Sequence, residues 1–382
     1  MRDHLTALRK LYFADIAKLV PLCDVHFIVL THLLNDRPEF LSALEQIAPI
    51  LTIIAIPYSI HHSTLHKLQD KYTIRTPSLD DLRNKDYLLQ ILNQYNNPFK
   101  PIVIIEIGGY FAHILSEAYN TLHINILGVI EDTEAGYLQY ERVGDNLPCP
   151  VISVARSELK TTEDFLVGAS CLYSTEKLLR ETGFLIEGKR SLVLGFGKIG
   201  RGLSHALLRR HCPVLVYDID PIRRINALSE GFKTPDKEQA LCQTEIIFGA
   251  TGKKSIVGEE FNKIRNGTLL VSCSSKDLEF DLDHLHTFYH KEPIMEGLDR
   301  YQRNDHVLYL AASGQPINFI DGAVIGPVLA LVQAEMIIAI KMLLTLQNQQ
   351  GLFETSQETK KILAEKWLNH FCDHSTGRYK NV

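Results

Sequence analysis

The chain has 382 residues, long enough for two or three domains, and its 45% hydrophobic and 22% charged residues are the composition of a globular protein. A net charge of −5 argues against nucleic acid or an anionic membrane surface as partner. Seven cysteines, odd in number, scattered and without CxxC spacing, argue against a disulfide framework or a zinc site and point to a cytoplasmic protein with reduced thiols.

Residues 1–20 read as a charged amphipathic helix, and Met1-Arg2-Asp3-His4 is too polar to open a secretory signal. From Val25 the pattern alternates. Strands are expected near Val25–Leu30, Leu51–Ile56, Ile102–Ile107 and Asn125–Ile130, with a helix near Glu39–Ile47. Apolar runs of five or six residues between helix-length amphipathic stretches predict a parallel sheet with crossover helices. His62 and His66 stand at i and i+4 beside His61; with no local Asp, Glu or Cys they read as a polar helix face, and no metal is expected. A long helix is expected over Thr162–Thr182, capped at Thr161 or Thr162 and stopped by Gly183.

A second unit opens after Gly188. Its expected strands are Ser191–Gly195, Val214–Asp218, a short element near Phe232, Ile246–Ala250, Thr268–Ser272 and Val307–Leu310. Six strands with helices between them match a dinucleotide-binding sheet, so the fold class is α/β, a Rossmann-type doubly wound parallel sheet plus a second α/β domain. The first of these strands runs directly into Gly195-Phe-Gly197-Lys198-Ile199-Gly200, the G-x-G-x-x-G spacing, and a helical pattern follows. Gly195 allows a tight turn, Gly197 lets backbone approach a pyrophosphate, and Gly200 lets helix pack on strand. The helix N-terminus, at Lys198 and Ile199, supplies amide donors to the phosphates. Asp218 ends the next strand about 20 residues on, where a carboxylate accepts the adenosine ribose hydroxyls. Arg223 and Arg224 follow, but Asp218 repels a 2′-phosphate, so NAD rather than NADP is the expected cofactor. The apolar stretch Val324–Leu344 has nearly membrane-spanning length. It carries Pro327, Gln333, Glu335 and Lys341, so a buried core helix is expected, followed by a linker at Gln347–Gly351.

With these motifs in place, the chain from about Val25 to Lys341 resembles the S-adenosylhomocysteine hydrolase family. Leu194–Gly202 is similar to that family's G-Y-G-x-V-G-K-G loop, and Asp218-Ile-Asp-Pro-Ile222 to its E-I-D-P-I. Ala250-Thr251-Gly252 resembles T-T-G, Asp277–Asp281 resembles D-V-E-I-D, and Leu298–Tyr301 resembles V-D-R-Y. The likeness is thinner before Gly188: Glu131–Gly136 for E-E-T-T-T-G, and Ser157–Lys160 through Asp164 and Gly168 for S-V-T-K-x-x-F-D-N-x-x-G. The resemblance implies a substrate domain over residues 1–185, an NAD-binding domain over 186–325, and C-terminal helices over 326–382 that return to the first domain. It implies tightly bound NAD that oxidises a ribose 3′-hydroxyl, a nucleoside-like small-molecule substrate, and a homo-oligomer, dimer or tetramer.

Carried over residue by residue, the resemblance assigns catalysis to Lys160, Asp164, Asp132 and His32. It assigns cofactor contacts to Thr133, Thr251, Gly252 and Asn318 beside the glycine loop and Asp218. Lys160 and Asp164, four apart on one helix, also read as a solvated pair, and His32 also reads as a structural histidine. Other family groups are replaced: an acid by Ile107, a cysteine by Ala169, and histidines at Ser275 and near Ile325. Isoleucine can neither take nor give a proton, so the losses fall on elimination and hydration. Three readings remain open: a redox enzyme acting on a nucleoside hydroxyl, a hydrolase with substituted acids and bases, and a non-catalytic NAD-binding oligomer.

Overall fold

The computed structural model describes residues 2–274, 279–346, 349–373 and 375–380. The chain divides into two compact units, Met1–Thr161 with Gly326–Val382, and Thr162–Ile325.

The first unit is built on a seven-stranded, wholly parallel sheet. Its strand order is Gly351–Phe353, Pro150–Ser153, Ile126–Glu131, Ile102–Glu106, His26–Leu33, Ile50–Ile60, Ile74–Arg75. Ile102–Glu106 and Pro150–Ser153 are buried at every position, as strands covered by helices on both faces must be. Ile28, Leu30, Ile54, Ile104, Val129 and Val151 form one continuous core. Helix Leu329–Thr345 is apolar nearly all round because it is buried nearly all round, packing on helices Arg2–Ala17 and Gln357–Phe371 and on strand Ile126–Glu131. Among the described residues it lies in the one helix, Gly326–Thr345, that is long and apolar enough to cross a membrane; 72% of that apolar window is buried within the protein.

Three expectations are corrected here. The long helix runs Glu158–Glu181, and Ser157 rather than Thr161 or Thr162 caps it, its Oγ accepting the Leu159 N–H. Gly351 does not belong to a linker but opens the edge strand Gly351–Phe353; Gln347 and Asn348 lie outside the described residues. The two units meet in sequence at Thr161 and Thr162 instead of 185 and 186, because the body of the long helix packs on the glycine-loop helix Lys198–Arg209.

The second unit holds another seven-stranded sheet, in the order His290–Met295, Leu298–Arg303, His306–Ala311, Thr268–Ser272, Ile246–Gly249, Ser191–Leu194, Val214–Tyr217. A single bridge from Leu215 to Lys233 supplies the short element near Phe232. The five strands from His306 onward in that order pair in parallel, whereas His290–Met295 and Leu298–Arg303 form an antiparallel hairpin around Gly297. The sequence pattern hides this hairpin because five of the six residues of His290–Met295 are exposed, leaving no apolar alternation to detect.

Candidate functional site

In the second unit the strand order reverses between Ser191–Leu194 and Ile246–Gly249, and the loops at the carboxyl ends of these two strands frame a crevice of the kind that takes a dinucleotide. Gly195 sits at φ +97°, and a Cβ there would lie 2.6 Å from the Ala250 carbonyl oxygen. A Cβ on Gly200 would lie 1.9 Å from the Gly195 oxygen, so helix and strand meet only because both positions are glycine. Gly197 is open by contrast, with only Arg223 near its Cβ direction, at 3.5 Å, which suits close approach of a ligand. Among the described residues the first helical amides, of Ile199 and Gly200, donate to no backbone carbonyl, and they stand at the positive end of the helix dipole.

Asp218, 5% exposed, accepts hydrogen bonds from the amides of Phe196 (2.6 Å) and Asp220 (2.9 Å), which hold its carboxylate at the crevice. Arg223 stands 3.7 Å from that carboxylate, and Arg224 is turned over the Tyr217 ring and toward the Thr234 carbonyl, so neither is set aside for a 2′-phosphate. Thr251 and Gly252 lie on an exposed loop after Ile246–Gly249. Asn318 is buried, and its Oδ1 has no hydrogen-bond partner, an acceptor left over for a ligand's donor. The glycine cradle, the open helix start, Asp218 and this orphaned amide together fit NAD.

Lys160 and Asp164 each have a further partner of opposite charge. Lys160, 7% exposed, places Nζ 3.0 Å from Asp132 Oδ1 in the first unit. Asp164 lies in the second unit with Oδ2 3.5 Å from Lys198 Nζ of the glycine loop. The contact is enforced by glycines: a Cβ on Gly168 would lie 2.3 Å from the Ile199 oxygen, and one on Gly202 would lie 2.1 Å from the Phe165 oxygen. Ala169 is part of the same packing, against the second unit's core.

The carboxyl edge of the first sheet collects the remaining polar groups. His32 Nδ1 is 2.5 Å from Ser59 Oγ at the ends of adjacent strands, and burial, followed by the charges of Arg37 and Lys160, lowers its pKa well below the usual histidine value. That direction favours the neutral form of the imidazole. Glu106 and Glu131 face each other in register at the ends of neighbouring strands, both fully buried. Glu131 accepts from the amides of Gly108 (3.0 Å), Gly109 (2.9 Å) and Thr133 (2.6 Å) and from the Thr133 hydroxyl (2.7 Å). Glu106 takes the amide of Tyr110 and the hydroxyl of Tyr140. Burial, then Glu106, raises the Glu131 pKa to about 8. Two buried carboxyls in register on neighbouring strands hold one negative charge between them more readily than two.

Sequence reading misses this dyad, although each member is visible as a glutamate ending an apolar run. Thr133, expected at the cofactor, uses its hydroxyl to accept from Gly108 and Gly136 and to donate to Glu131, which holds this loop. Ile107, between Glu106 and the two glycines, is buried in the apolar core. Ser275 and Asp277 lie outside the described residues, and no cluster of three or more metal-ligating side chains occurs among those described.

The fold and crevice define the second unit as an NAD-binding domain of Rossmann type. Residues 170–324 match the family described as S-adenosyl-L-homocysteine hydrolase, NAD binding domain. An S-inosyl-L-homocysteine hydrolase of Methanopyrus kandleri is 27% identical over 236 residues, covering 58% of this chain and 54% of the relative. An adenosylhomocysteinase of Sulfolobus acidocaldarius is 27% identical over 227 residues, with the same coverage. The chain thus spans about half the length of the curated relatives it matches. Residues 170–324 are thus similar to the NAD-binding domain of the S-adenosylhomocysteine hydrolase family, and the chain as a whole is a distant relative of the two hydrolases. A dipicolinate synthase from Bacillus halodurans superposes with a TM-score of 0.52 at 10% identity, over 84% of this chain and 99% of that one, a likeness of fold alone.

Proposed function

We propose that the chain uses NAD to oxidise the 3′-hydroxyl of a nucleoside-like small molecule, the hydride passing to the nicotinamide, and that it has lost the elimination half of the family's reaction. The observation that carries this reading is the Lys160–Asp132 pair, 3.0 Å apart with Lys160 buried, on the sheet edge that also bears His32. NAD, when bound, accepts a hydride. The chain's own contribution is the proton: Asp132 accepts a hydrogen bond from the sugar hydroxyl, and Lys160 as the neutral amine takes that proton, becoming an ammonium paired with Asp132, as the hydride leaves. Asp164, at 3.5 Å from Lys198, serves the cofactor loop in this scheme. The first unit is the substrate domain.

Loss of elimination follows from the apolar Ile107, buried where the resemblance implies an acid. The same reading includes a homo-oligomer in the cytoplasm.

The test mixes the NAD-loaded protein with adenosine, inosine, S-adenosylhomocysteine and S-inosylhomocysteine, following reduced nicotinamide by absorbance and free thiol in parallel. Reduction without thiol release supports the proposal. Thiol release makes the chain a hydrolase with substituted acids and bases. Tight NAD binding with neither signal leaves a non-catalytic NAD-binding protein.

A further inference from the structure

The Glu279 carboxylate is 1% exposed and lies beneath the loop after strand Ile246–Gly249. It accepts the amide N–H of Thr251 at 2.6 Å and of Gly252 at 2.7 Å, both on Oε1, and the Thr251 hydroxyl at 2.9 Å on Oε2. The Ser274 hydroxyl donates to it as well. Gly249 makes room, since a Cβ there would lie 2.7 Å from a Glu279 oxygen. Gly252 is left-handed at φ +68°, the conformation that lets two successive amides turn toward one inner acceptor. A buried carboxylate with every contact a donor is well matched, even though burial raises its pKa.

The consequence lies on the other side of the loop. Thr251 and Gly252 are exposed, their N–H groups are spent inward, and no N–H of the described residues donates to either carbonyl. The Thr251 and Gly252 carbonyls are thus acceptors with no N–H donor among the described residues, while the glycine-loop helix has the amides of Ile199 and Gly200, which are donors only. We infer that Glu279 is a positioning residue that sets this polarity. It turns the Thr251–Gly252 loop so that the loop takes hydroxyl or amide donors of the dinucleotide and leaves its phosphates to the glycine loop. The residue touches no ligand itself. It acts through the two peptide units it holds.

The test compares Glu279→Met and Glu279→Gln with the natural protein, measuring the Kd of NAD and of inorganic pyrophosphate by calorimetry and the melting temperature of each. Met leaves the Thr251 amide without an inner acceptor and the Gly252 amide with the Ser274 hydroxyl alone, so the loop turns outward, and NAD binding weakens about tenfold while pyrophosphate binding does not weaken. Gln keeps one oxygen for the two amides and lets the Thr251 hydroxyl switch from donor to acceptor, so NAD affinity stays within about threefold. An unchanged Kd for NAD in Glu279→Met overturns the inference. So does weakening of NAD and pyrophosphate by the same factor, which marks general damage to the crevice. If Glu279→Met does not fold, amide hydrogen exchange in the natural protein decides: Thr251 and Gly252 are expected to be protected despite their exposure, and exchange at open-loop rates overturns the inference.

Discussion

Replacing Glu131 by Gln tests the carboxyl dyad with almost no change of shape. The side chain now presents one acceptor oxygen and one NH2. The oxygen can keep the donors that share Oε1, the amides of Gly108 and Thr133 and the Thr133 hydroxyl, but the NH2 then faces the Gly109 N–H that Oε2 accepts at 2.9 Å. One buried N–H is left without a partner, a cost of about 1–3 kcal/mol. For a unit of this size that lowers the melting temperature by roughly 2–4 °C per kcal/mol.

The sign of the pH dependence then separates mechanisms. Burial and Glu106 raise the folded-state pKa of Glu131 to about 8, above the ordinary glutamate value of 4.5. A raised carboxyl binds its proton more tightly folded than unfolded, so its stabilisation is complete below about pH 4.5 and is lost as pH rises through about 8. Gln cannot ionise, and its profile lacks that slope. The gap between natural protein and Glu131→Gln is therefore largest near pH 5 and shrinks toward pH 8.5, where the natural protein carries a second buried negative charge. Thermal melts of both proteins across that range provide the assay. Parallel profiles would falsify the shared-proton dyad and show Glu131 ionised throughout.

Four further outcomes are expected. Gly202→Ala places a methyl 2.1 Å from the Phe165 carbonyl oxygen, a contact only backbone movement can relieve; it should destabilise the second unit by about 1–3 kcal/mol in thermal melts, and an unshifted melt refutes the tight helix contact. Lys160→Met should abolish turnover of whichever nucleoside reduces the bound NAD while leaving the Kd for NAD within about twofold, since Lys160 is bonded in the first unit; full turnover removes it from the mechanism. Asp218→Asn removes the charge that repels a 2′-phosphate and frees Arg223, 3.7 Å away, so calorimetry should show NAD weakened and the preference over NADP reduced about tenfold; an unaltered ratio places selectivity elsewhere. His32 has a lowered folded-state pKa, so its contribution is present above about pH 6.5 and lost as pH falls through its folded value; melts of His32→Asn between pH 7 and 5 should fall less steeply than those of the natural protein.

Local chemistry carried much of this protein's description. Apolar runs such as Ile102–Glu106 and Ser191–Leu194 can be little other than buried parallel strands, and glycines at 195, 197 and 200 followed by Asp218 admit few other uses. Those features are written within short windows, so the NAD-binding sheet and its crevice were legible residue by residue. Partnership was not. Four residues of spacing on a helix put Lys160 and Asp164 in the same neighbourhood, but nothing in that spacing announces that Lys160 also bonds Asp132 or that Asp164 also stands beside Lys198. Thr133 has a cofactor residue's motif and also bonds Glu131, and Glu131 meets Glu106 only because strand register sets them side by side. Helix and strand formation follow from near neighbours along the chain. Which charge meets which, and whether a carboxyl keeps its proton, depends on burial and on residues tens of positions away, and these exist only once the sheets have closed.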